Sequence, residues 1–90
     1  MINTDIDITQ RITVTTSGTP VQGPEASNQT GWVLSAVGAT CYFMFHGQTA
    51  TNKGFPLVPG SNVWTPAVNL RLLDFDSDSN GGIICATKFG

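Results

Sequence analysis

The stretch Gly54-Phe55-Pro56-Leu57-Val58-Pro59-Gly60-Ser61 decides how the chain folds. Each proline fixes φ near −65° and lacks an N–H donor, so the segment cannot continue a helix. Phe55, Leu57 and Val58 nevertheless need a core to enter. The segment therefore reads as a buried crossing between two strand-rich halves. Pro59-Gly60 suits the centre of a type II turn, with glycine taking the positive φ, and the next strand, at 62–66, would leave that turn at a fixed angle.

Strand patterns lie on both sides of this crossing. Ile8, Gln10, Ile12 and Val14 alternate with Thr9, Arg11, Thr13 and Thr15, the period-two signature of a half-buried strand. Ser17-Gly18-Thr19-Pro20 turns the chain, Val21-Gln22 can pair briefly, and 23–30 is a polar loop. Segments 31–37 and 39–46, separated by Gly38, are expected to form a central hairpin. In its second arm Cys41, Phe43 and Phe45 share one face and Tyr42, Met44 and His46 the other. Both faces are apolar, which implies cover on both sides and makes Tyr42 and Met44 a candidate contact patch. Beyond the crossing, a strand over 68–75 and a last one over 82–89 flank the turn 76–81.

No helical period occurs in the chain. Six to eight short strands at this spacing predict an all-β fold, a small antiparallel β-sandwich or jelly-roll-like barrel, with Phe43, Phe45, Leu57, Leu70, Leu72 and Ile84 in its core. Residues 10–90 form the single domain. Residues 1–9 are too polar to supply a core element, yet Ile2, Ile6 and Ile8 recur at even spacings and would share one face of an extended docking arm.

The 90 residues include 11% charged and 40% apolar side chains, with a net charge of −2. So little charge, against about 25% in ordinary soluble domains, suits a protein packed into an assembly. Arg11, Lys53, Arg71 and Lys88 are scattered, so no basic stripe exists to hold nucleic acid. No apolar run approaches the roughly 18 residues of a membrane span, and the acidic N-terminus is unlike a secretory leader; synthesis in a cytoplasm is expected. Asn28-Gln29-Thr30 matches a glycosylation acceptor but carries no meaning there. Cys41 and Cys85 fall in apolar strand patterns and read as free thiols in a reducing compartment, a disulfide being the alternative.

The sharpest chemical signal is DFDSDSNGG, in which Asp74, Asp76, Asp78 and Asn80 alternate as in oxygen-rich calcium loops. It lacks the distal glutamate of an EF-hand and is flanked by strands, and the same residue types build β-hairpin turns. The turn is the preferred reading; no cofactor or metal is expected. Cys41 and His46 are an odd number apart on one strand and so point to opposite faces, while His46 with Cys85 stays open. With no phosphate loop, metal-ligand cluster or acid/base pair, the chain is expected not to be an enzyme. Trp32, Trp64 and Tyr42 could stack on sugar rings, though buried tryptophans more often serve a core or a subunit interface.

T-x-G-T-x-V-Q at 16–22, G-F-P-L-x-P-G at 54–60 and the aspartate-rich turn follow in an order that resembles the small β-sandwich virion proteins of tailed bacteriophages, over about residues 11–85. Trp64, Pro66 and the polar arm depart from that pattern. The resemblance implies a virion structural protein, a capsid decoration or cement subunit bound to the major capsid protein on the head surface. It also implies a homo-oligomer, with a trimer expected because such subunits commonly sit at threefold positions. Candidate contacts are Ile2, Ile6, Ile8, Tyr42, Met44 and Trp64. The alternative is a carbohydrate- or receptor-binding module of a fibre, neck or tail.

Overall fold

The computed structural model describes residues 9–27, 30–47, 54–66 and 69–88. They form eight strands: β1 (Thr9–Val14), β2 (Val21–Gln22), β3 (Trp32–Val37), β4 (Cys41–Phe45), β5 (Phe55–Leu57), β6 (Asn62–Thr65), β7 (Leu73–Ser77) and β8 (Gly82–Lys88). Two antiparallel sheets pack face to face, one ordered β1-β8-β3-β6 and the other β2-β7-β4-β5. The ladders are nested: β1 pairs with β8, β2 with β7, β3 with β6 and β4 with β5. One long hairpin rolled over itself gives this order, which is the jelly-roll form of the expected β-sandwich.

Rolling the hairpin corrects two local expectations. The 31–46 segment is not a hairpin, because β3 and β4 lie in different sheets, and the same holds for β7 and β8 around the acidic turn. Both β3 and β4 are interior strands, as expected of a central pair, but they meet through their buried faces across the sandwich. Alternation along a strand identifies the side that is buried without identifying the sheet it joins. Gly38, at φ +84°, turns the corner between the layers. Among consecutive strands only β4 and β5 pair directly.

The 54–61 segment does cross between sheets, carrying the chain from the β5 edge to the β6 edge. Gly60 takes φ +90° and the Ser61 N–H donates to the Val58 carbonyl at 3.0 Å, as the expected turn requires. Pro56 sits on an edge strand, where a missing donor is tolerated. The crossing is not buried throughout: Leu57 is, whereas Phe55 and Val58 are about half exposed.

The expected strand over 68–75 is replaced by a 3₁₀ turn, Leu70–Leu72, followed by β7. Asn69 causes the break. Its side-chain oxygen accepts from the Arg71 and Ala26 N–H groups, and the Leu70 N–H donates to the Ala26 carbonyl, so local bonds compete with the ladder. The turn shifts the phase, so Leu70 and Leu73 are buried while Leu72 is half exposed.

Trp32, Leu34, Ile84, Ile12 and Val14 from one sheet meet Cys41, Leu57, Leu73 and Phe75 from the other to make the core. Each large side chain fully buried there contributes about 1.5–3 kcal/mol. Of the expected core, Leu57, Leu70 and Ile84 are fully buried and Phe43 packs at the margin, but Phe45 and Leu72 are exposed. The indole N–H of Trp32 is buried and finds no acceptor among the described residues. Such an orphan donor costs about 1–3 kcal/mol.

Candidate functional site: an open aromatic groove

The inward row of β4 runs Cys41, Phe43, Phe45 and leaves the core as it approaches one end of the sandwich. Cys41 is fully buried, Phe43 is half-buried and Phe45 is 65% exposed. Cross-strand register places Phe55 of β5 and Phe75 of β7 on either side of Phe43, and Leu73 beside Phe45. The Phe43 and Phe55 rings stack tilted, centroids 5.4 Å apart and planes at 41°. Thr65, from β6 of the opposite sheet, supplies the facing wall. Phe43, Phe45, Phe55, Leu73 and Thr65, together with Met44 and Gly54, line an open groove of about 280 Å³.

Gly54 lets the groove form. Its φ is +85°, and a Cβ there would overlap the Phe43 carbonyl oxygen and press on Met44. Only glycine allows β5 to start so close to β4. At the same end the His46 Nδ1 lies 2.8 Å from an Asp74 carboxylate oxygen, while the Gly47 N–H donates to the other at 3.3 Å. Leu72, half exposed, accepts from the His46 N–H through its carbonyl and extends the apolar surface. The groove is thus apolar, and its chemistry is that of receiving aromatic or aliphatic groups, while the His46–Asp74 pair lies on the other face of the same sheet.

The contact residues expected from sequence do not form one surface. Met44 is buried, contrary to its expected outward role; Gly54 lies close against it, and it forms groove wall. Tyr42 is half-buried on the outer face of its sheet, its hydroxyl donating to Asp78 at 3.0 Å. Trp64 is 53% exposed on the outer face of the other sheet, its indole N–H donating to the Thr30 carbonyl at 3.0 Å. Trp32 is wholly buried and cannot act as a platform. Ile2, Ile6 and Ile8 lie outside the described residues.

The acidic residues face separate donors. Asp74 holds His46, Asp76 accepts from the Gly18 and Ser77 N–H groups, Asp78 from Tyr42, and Asn80 from the Ser17 N–H. Asp76 and Asn80 fasten the β1–β2 connection to β7 and the turn after it, whereas Asp74 and Asp78 bond to residues in and just after β4. Among the described residues no three such side chains are placed to hold a metal ion. Both cysteines are free, Cys41 in the core and Cys85 in the outward row of β8 beside Arg11 and Ser35. Burial, the largest cause, pushes the Cys41 thiol pKa up. Cys85 and His46 lie in different sheets and are not brought together.

Alternation along the chain places Phe45 in the core and calls for cover over Phe55, whereas both are more than half exposed. The available signal was position: Phe45 ends its strand just before His46-Gly47, where an inward row runs out of opposing sheet. Among the described residues no helix is long and apolar enough to cross a membrane. Comparison with protein-family models, curated proteins and solved structures finds no match.

Proposed function

We propose that the chain is a non-enzymatic structural protein of a phage virion, a capsid decoration or cement subunit that binds the major capsid protein on the head surface. The observation that carries this is the groove: Phe45 and Phe55, both more than half exposed, stand at the open end of a domain with few charges. Paired exposed aromatics around a half-formed pocket are the anatomy of a binding hot spot, into which a side chain of the shell would insert. The jelly-roll order supports the proposal by analogy alone, since that architecture serves viral capsid domains and lectins alike. The threefold arrangement rests only on the resemblance stated above.

Co-sedimentation with purified heads lacking the subunit tests the proposal. Saturable binding is expected, weakened at least tenfold by Phe45→Ser or Phe55→Ser, as truncation of hot-spot aromatics does. Absence of binding by the unaltered protein refutes it. The exposure of Trp64 favours one second reading, a carbohydrate-binding module of a fibre or tail. Glycan-array binding abolished by Trp64→Ala, with no attachment to heads, would establish that reading instead.

A further inference from the structure

We propose that β1 is a self-pairing edge, through which two copies join antiparallel about a twofold axis centred on Ile12 to make one eight-stranded sheet. Among the described residues the sandwich has four edge strands, and three carry protection. β2 is two residues long, β5 is three with Pro56 in its middle, and β6 is four followed by Pro66. Short strands and proline are the means by which sheets blunt their edges. By contrast β1 is six residues long, contains neither proline nor glycine, and keeps unbroken register with β8 from Thr9 to Val14. Among the described residues no strand pairs with its outer side.

A second copy fits this edge for reasons of symmetry and charge. A twofold axis perpendicular to the sheet pairs residues whose numbers have the same parity, because paired residues point to the same face. Two registers then keep five pairs within the strand. Centring on Arg11 sets the two guanidinium groups directly opposite each other, which is destabilising. Centring on Ile12 pairs Ile12 with its copy on the core side and sets each Arg11 against the partner copy's Thr13 on the outer side, where both residues are exposed. Charge thus selects the second register. The dimer closes on itself, as the expected closed oligomer requires, but with twofold rather than threefold symmetry. Five paired residues per copy make an interface at the small end of specific contacts, so dissociation in the micromolar range is expected.

Sedimentation equilibrium of the full chain, from about 10 to about 500 µM, would show a monomer–dimer equilibrium if this is right. Thr13→Lys places like charges opposite each other twice per dimer and weakens association by several-fold up to about tenfold; Thr13→Glu strengthens it by a similar factor. Combining Arg11→Glu with Thr13→Lys restores the original affinity or better. All these positions are exposed, so unchanged urea midpoints establish that the fold is intact. A monomer throughout the range, a trimer, or equal affinities for the lysine and glutamate variants would overturn the proposal. These outcomes do not depend on whether the protein binds heads.

Discussion

Phe55 and Phe75 flank Phe43 in one cross-strand row, yet replacing each with alanine should have very different effects. Phe75 is completely buried, so Phe75→Ala removes a whole side chain from the core and leaves a cavity, at about 3–5 kcal/mol. Total stability for 90 residues is on the order of 5–13 kcal/mol, so this one change consumes about a quarter of it or more. Phe55 is 54% exposed. Phe55→Ala loses roughly half of a phenylalanine's burial, about 1 kcal/mol, and the ring contact with Phe43, about 0.5–1.5 kcal/mol. Phe45→Ala, at 65% exposure, should cost less than about 1 kcal/mol. Urea denaturation with a common slope measures all three. The order Phe75, Phe55, Phe45 is expected, with a gap of about 2 kcal/mol between the first two. Equal losses at Phe55 and Phe75 would mean that the groove is closed in the free protein, and the binding proposal would fall with it.

Two glycines should respond differently to alanine. Gly82→Ala drives a methyl group into the Ser77 side chain and should cost about 1–3 kcal/mol, whereas Gly38→Ala meets open space and should cost only the strain of a left-handed residue, about 1–2 kcal/mol, in the same denaturation assay. The Glu25 carboxyl is held below the ordinary carboxylate range, first by the Asn69 amide and then by Arg71, and NMR titration should record it. Its small contribution to stability is present above the unfolded-state pKa and is lost as pH falls through the folded one; Asn69→Ala and Arg71→Ala should each raise the Glu25 pKa. Cys41 should resist thiol reagents until the protein unfolds, and stability should decline as pH rises above the ordinary thiol pKa, because the buried thiol stays protonated longer than the unfolded one. Iodide should quench the fluorescence of Trp64 but not that of Trp32, as variants retaining one tryptophan each would show.

Period-two patterning made the strands legible because half-burial writes itself into alternation, and Gly60 fulfilled the turn that Pro59-Gly60 specifies. Pairing was less legible. Gly38 signals a tight connection but is equally suited to a hairpin and to a corner between layers, and the ladders that decide between them join residues far apart in sequence, such as Thr9 with Thr87. The phase shift at Asn69 was hidden because one side-chain oxygen, accepting two N–H groups, outweighs an otherwise apolar run. At the candidate site the aromatic content was visible and its exposure was not. Phe43 and Phe45 obey the same alternation; what separates them is where the opposing sheet ends, which no local pattern records.

Electron cryomicroscopy of heads saturated with the protein tests the central claim most directly. The proposal predicts extra density on the outer shell that accommodates the sandwich with the Phe45–Phe55 end buried against the major capsid protein. Heads without added density, or density in which that end faces solvent, would contradict it.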